Sequence, residues 1–152
     1  MHRSMVCVAG AMAVVAALSG CSNDKPSTSS SNTSPAAGQA TVSVNHVDQT
    51  GLGPIVCDVS DYSAEITIKR NGHNMAHASL AWKQGNPPQL KSALLLGIQG
   101  TSLRDPELGY GDTPPAVADP TVKKYGNRFV ISAYGWNRTD QHAPFDIDVT
   151  CP

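Results

Sequence analysis

Phe145-Asp146-Ile147-Asp148-Val149-Thr150-Cys151 alternates apolar with polar residues from end to end. A strand turns successive side chains to opposite faces, whereas a helix repeats every ~3.6 residues. The stretch therefore reads as a half-buried strand, with Phe145, Ile147, Val149 and Cys151 inward and Asp146, Asp148 and Thr150 outward. The same period governs the chain upstream, from residue 40 onward. Val42 and Val44 alternate with polar neighbours, and Tyr62, Ala64, Ile66 and Ile68 share one face against Ser63, Glu65 and Thr67. Asn71-Gly72 suits a two-residue type I′ hairpin turn. Ala76, Ala78, Leu80 and Trp82 then line up on the returning strand.

Gly85-Asn86-Pro87-Pro88 breaks the chain, and Leu90, Leu94, Leu96 and Ile98 resume the alternation, with Gly97 a candidate bulge. Residues 103–120, rich in Gly, Pro and Asp, read as a long irregular connection. Gly126-Asn127 turns a second hairpin between 122–125 and 129–136. The expectation is an all-β domain over 40–152, an antiparallel β-sandwich of about seven or eight strands. No internal repeat and no amphipathic helix of useful length interrupts the pattern.

Composition narrows the function classes. The chain of 152 residues has 11 basic against 12 acidic side chains, a net charge of -1. That balance excludes the basic excess on which nucleic-acid binding rests. With 15% charged and 40% apolar residues, most of the chain is neither a coiled coil nor a disordered acidic tail.

The N-terminus reads as an address. Met1-His2-Arg3 supplies a firm positive charge, and residues 5–18 form an uncharged apolar run. As a helix that run covers about 21 Å, short of the ~30 Å hydrocarbon core and right for a signal peptide. It ends in Leu18-Ser19-Gly20-Cys21, which looks like a lipobox. On this reading 1–20 is a lipoprotein signal peptide, and Cys21 becomes the acylated first residue of the mature chain. The protein is then anchored through membrane lipid at Cys21 without spanning the bilayer, on the extracytoplasmic side of the cell membrane. One acyl chain anchors marginally, whereas two or three hold firmly.

Residues 22–39 are mostly Ser, Thr and Pro and have nothing to bury. With Cys21 they make a disordered tether over 21–39. Ser27, Thr28, Ser29, Ser30, Ser31, Thr33 and Ser34 beside proline suit O-glycosylation, and the same composition also serves a bare spacer. The sequons at Asn32 and Asn137 carry little weight in a bacterial lipoprotein. Of four cysteines, Cys7 leaves with the signal and Cys21 carries lipid. Cys57 and Cys151 remain as an even pair in an oxidising compartment, expected to form a disulfide. It would close a loop of about 94 residues, contributing ~4 to 5 kcal/mol through loop-closure entropy.

Several segments resemble one family. Leu18-Ser19-Gly20-Cys21-Ser22 with its tether, Ile55-Val56-Cys57, Gly85-Asn86-Pro87-Pro88-Gln89-Leu90-Lys91-Ser92 and Phe145-Asp146-Ile147-Asp148-Val149-Thr150-Cys151 are similar, in order, to the mycobacterial nineteen-kilodalton lipoprotein antigen family (the LpqH-like lipoproteins). The resemblance implies a surface-exposed, acylated and often glycosylated antigen whose lipidated N-terminus is sensed by host Toll-like receptors. It carries no catalytic residues to transfer. The chain departs from the family between 101 and 126, and in its number of His and Trp residues.

The residues themselves offer little chemistry. His73 and His77 have the helical spacing of a metal pair, but on a strand they lie ~13 Å apart. Asp140, His142, Asp146 and Asp148 could hold a hard cation, although alternation puts Asp146 and Asp148 on an ordinary solvent face. Gly109-Tyr110-Gly111-Asp112 is a poor phosphate loop with no helix to follow, and no nucleophile elbow is present. The expectation is a non-enzymatic protein with no metal and no cofactor. Trp82, Tyr134 and Trp136 either fill the core or form an apolar cleft or anchor patch. The primary reading is an interaction module presenting surface to a partner such as a host receptor. Its alternative is a carrier that shelters an envelope lipid or glycolipid between its sheets.

Overall fold

Ten strands joined by turns and loops, with no helix, are found among the described residues of the computed structural model, which are 36–111, 118–139 and 141–152. They are β1 (Gln39–Val44), β2 (Val47–Asp48), β3 (Leu52–Val59), β4 (Ser63–Arg70), β5 (His73–Ala81), β6 (Gln89–Leu95), β7 (Leu108–Tyr110), β8 (Thr121–Tyr125), β9 (Arg128–Trp136) and β10 (His142–Thr150). Every pairing is antiparallel, as the short connections demand. The all-β expectation holds. The first strand begins at Gln39, one residue before the expected domain boundary.

The strands form one hydrogen-bonded sheet of ten, not two sheets sharing seven or eight. Its order is β2-β1-β10-β9-β7-β6-β5-β4-β3, with β8 paired to β9 off that path. The difference lies in β7, inside the stretch that reads as an irregular connection. Gly109 pairs with Leu94 of β6 on one side and with Trp136 of β9 on the other. Three residues thus join what would otherwise be two sheets, β3–β6 and the remainder. Leu108 fastens the joint by packing over Gly135, where an added Cβ would lie 2.5 Å from its Cγ.

The sheet curls into a half-barrel. Cys57 of β3, at one end of the strand order, is bonded to Cys151 just beyond β10, with S–S 2.00 Å and Cα–Cα 5.8 Å. The inner faces meet in one core. Val42, Val44, Ile66, Ile68, Leu80, Leu95, Leu108, Phe129, Ile131, Phe145, Ile147 and Val149 are each 0–1% exposed there. Each such side chain contributes roughly 1.5–3 kcal/mol by leaving water.

Alternation predicts most of these positions and fails at two bulges. Ser79 pairs with Ser92 but Leu80 with Leu90, which leaves Lys91 as an extra residue in β6. One extra residue moves the following side chains to the opposite face. Ala93 and Leu95 are therefore buried, while Leu94 is 45% exposed. In β5, Met75 stands unpaired between Asn74 and Ala76, so two consecutive side chains reach the core. Gly97 is no bulge: its φ of 61° belongs to a turn after β6. Tyr62 precedes β4 and is 52% exposed, so it does not join the Ala64, Ile66 and Ile68 face. Asn71 and Gly72, at φ 50° and 81°, make the expected turn between β4 and β5.

The two ends of the half-barrel are closed differently. Where the chain enters, Gly38 N–H donates to Thr150 C=O at 2.7 Å and Cys151 N–H to Asn127 C=O at 3.0 Å, beside the disulfide. At the opposite end two buried amides hold the turns. Gln49, 5% exposed, donates from Nε2 to the carbonyls of Val47 and Gln99, both at 3.1 Å. Its Oε1 accepts from Gln99 N–H at 2.9 Å and from Arg70 Nη2 at 3.3 Å. Arg70 Nη1 in turn donates to Gly97 C=O at 2.7 Å. Asn137, 6% exposed, accepts at Oδ1 from Thr139 and Gln141 N–H groups at 3.0 Å, and donates to Gln141 Oε1 at 3.2 Å.

Candidate functional site

Trp82, Tyr134 and Trp136 do not come together. Buried Ile131, Ala133 and Gly135 take the inner face of β9, so Tyr134 and Trp136 lie on its outer face and do not fill the core. Trp136 tilts against Tyr110 with ring centroids 6.3 Å apart. Beside it Gly109 has no side chain, and a shallow hollow of about 260 Å³ opens between Leu94 and Trp136. Arg138 and Glu107, 3.9 Å apart, stand at its edge. Tyr134 borders a separate hollow of about 270 Å³ with His46, Asp119, Thr121 and Asp146.

Trp82 lies at the chain-entry end, just after β5. Its N–H donates to Tyr62 C=O at 2.9 Å, which fixes the backbone. Its ring is partly buried against Phe129, centroids 6.4 Å apart, and so closes this end of the core. Lys124 lies over the same ring, with Nζ 5.1 Å from the Trp82 centroid and 5.8 Å from that of Phe129. A cation at that distance is attracted by the aromatic face. Trp82 also lines a cleft of about 370 Å³ with Ala81, Lys83, Asn86, Pro87, Gln89 and Lys91. Gly85-Asn86-Pro87-Pro88, which breaks the chain in sequence, is the loop that builds this wall.

Several charged residues on the outer face are engaged with their own strand neighbours. Asp146 accepts from Ser132 Oγ at 2.6 Å and Ser43 Oγ at 3.3 Å, across β9, β10 and β1. Arg128 donates to both oxygens of Asp148, from Nε at 2.8 Å and Nη2 at 2.6 Å. These hydrogen bonds raise the guanidinium pKa above its ordinary value. His142 begins β10, about 13 Å along the strand from Asp146 at 3.3 Å per residue. Asp140 lies outside the described residues. His73 is exposed at the start of β5, and His77 lies 3.2 Å from Glu65, which also accepts from Ser79 Oγ at 2.6 Å. Among the described residues no group of three His, Cys, Asp or Glu could hold a metal.

Other sequence-level candidates divide the same way. Cys57 and Cys151 are brought together in the disulfide. Cys21 and the serines and threonines at Ser27, Thr28, Ser29, Ser30, Ser31, Thr33 and Ser34 lie outside the described residues. Gly109 and Tyr110 belong to β7, a strand and not a phosphate loop, and Asp112 falls outside the described residues. The Asn137 side chain is occupied internally, which removes that sequon as a glycan acceptor in the folded chain. Sequence reading passed over Lys124 and Gln49. Lys124 carried a signal, since alternation puts it on the face of buried Val122. Gln49 carried none, because its partners at 97–99 are distant in sequence.

Two comparisons with known proteins bear on this architecture. The family model described as Mycobacterium 19 kDa lipoprotein antigen matches residues 33–151. Relatives include "Lipoprotein LpqH" of Mycobacterium bovis and of Mycobacterium tuberculosis, each 31% identical over 161 residues, covering 96% of this chain and 96% of the relative. The match runs through both disulfide half-cystines, the Gly85–Pro88 loop and the final strand, and on these grounds the chain belongs to the Mycobacterium 19 kDa lipoprotein antigen family.

Proposed function

We propose that this chain is a lipid-anchored antigen of the cell envelope, a non-enzymatic interaction module held to the membrane through acylated Cys21 and displayed on a Ser/Thr-rich tether. Its acylated N-terminus is the part that host Toll-like receptors recognise. Family membership over residues 33–151 is the observation that carries the reading. The structure supports it in one respect: the outer-face carboxylates Glu65, Asp146 and Asp148 are engaged by side chains of neighbouring strands. The test is fractionation of cells expressing wild type or Cys21→Ala, with and without globomycin. Wild type is expected in the membrane fraction and as an agonist in a Toll-like-receptor reporter assay. Cys21→Ala should be lost from both, and full retention of the variant in the membrane would sink the anchor.

A carrier needs apolar space between the inner faces, and the side chains that meet there are 0–1% exposed. That closed packing supports the interaction module. Native mass spectrometry decides between them: a discrete mass excess lost on denaturation would move the assignment to a lipid carrier.

A further inference from the structure

We propose that the Trp82 cleft receives the phosphorylated polyol headgroup of an anionic lipid in the same membrane that holds the chain. The proposal takes its lipid source from the anchored reading, while the cleft stands on its own geometry. Of the five lysines among the described residues, three gather here: Lys83 and Lys91 in the wall and Lys124 over the indole. No carboxylate lines the cleft. In a chain of net charge -1, such a concentration of one sign marks a place where an anion is attracted. The remaining wall suits the rest of a headgroup. Trp82 offers an aromatic surface to the C–H face of a ring, the Asn86 amide can donate to and accept from hydroxyls, and Gln89 Oε1 accepts from Lys91 Nζ at 3.3 Å, which holds that ammonium in the wall. The volume of about 370 Å³ lies within the ~300–1,000 Å³ of small-ligand sites.

Position selects the source. Gln39 pairs with Thr150, Thr150 with Arg128, and the adjacent Phe129 with Lys124. This places the cleft at the end where the segment leading from Cys21 enters the sheet. In sequence, seventeen mostly polar residues (22–38) separate that end from Cys21. Near an anionic membrane each lysine strengthens attraction by roughly fivefold, and salt screens the effect.

The full chain in micelles of a neutral polyoxyethylene detergent provides the test. The indole N–H resonance of Trp82, assigned by its loss in Trp82→Phe, is followed by NMR as the micelles are doped with phosphatidylinositol or with phosphatidylcholine. Free inositol 1-phosphate forms a separate arm. The expected result is a saturable shift with phosphatidylinositol only, weakened roughly fivefold by each of Lys83→Gln, Lys91→Gln and Lys124→Gln. Melting temperatures near that of the parent exclude unfolding as the cause. Equal affinity for free inositol phosphate would overturn the lipid source in favour of a soluble phosphosugar. No response in either anionic arm, or an equal response to phosphatidylcholine, would overturn the site. Loss of the anchor reading in the Cys21→Ala fractionation leaves the micelle titration unchanged, so the two failures are distinguishable.

Discussion

The two ends of this half-barrel are held by different physics. At the chain-entry end a covalent bond ties β3 to the segment after β10, and the indole of Trp82 covers Phe129. At the other end the turns are held by the buried amides of Gln49, which bridges 47–49 to 99, and of Asn137, which ties the β9–β10 turn. The disulfide acts largely on the unfolded chain, by removing conformations before folding begins. A buried amide acts in the folded state alone, and its value is mostly the cost of leaving its partners unpaired. The entry end should therefore be the stable one in an oxidising compartment, and the far end the one that responds to single polar substitutions.

The strongest way to break this contrast is to remove the covalent closure. Reduction, or paired Cys57→Ala and Cys151→Ala, should destabilise the domain by about 4 kcal/mol, read by denaturant unfolding. A midpoint that does not move would mean that the curl is held by the core alone. Gly135→Ala comes next, because its Cβ would strike Leu108 at the joint between the two halves of the sheet. A loss of about 3 kcal/mol is expected, within the range for overpacking, with exchange of the β7 amides accelerated beyond those of β4.

Gln49→Ala probes the far end directly. It strands the N–H and C=O of Gln99 and one arm of Arg70, at a cost of about 2 kcal/mol. Hydrogen exchange at 96–100 should rise while the Cys151 amide is unaffected; a uniform rise would show that the two ends unfold together. The smallest effect is expected from Glu65→Gln. Its contacts with His77 and Ser79 are solvent-exposed, so the unfolding free energy should change by less than about 1 kcal/mol.

How much was legible beforehand follows from the range of each signal. The β10 pattern, both hairpin turns and the inward positions of β1 and β4 are local, set by alternation and by residues that tolerate positive φ. β7 escaped because three residues, two of them Gly109 and Tyr110, are too short to show a period, and because their pairing partners are on β6 and β9. The Lys91 and Met75 bulges escaped for a related reason. An extra residue is visible only against the partner strand, so strict alternation puts Leu94 and Leu96 one register away from where they sit. At the candidate site, Trp82 was legible as a residue to watch, but its separation from Trp136 and its meeting with Lys83, Lys91 and Lys124 were not.

What the amino-acid order determined by itself is whatever depends on neighbours along the chain: strand character, turn positions, the lipobox reading at Cys21 and the kinship with a lipoprotein family. Tertiary structure alone decided the rest. It made one sheet instead of two through β7, put Gln49 inside as a hub against 97–99, and gathered lysines from three separate segments around Trp82. The physical reason is common to all three. Strand pairing, buried hydrogen bonds and charge proximity act between groups close in space, and a curled sheet brings together residues that the sequence keeps tens of positions apart.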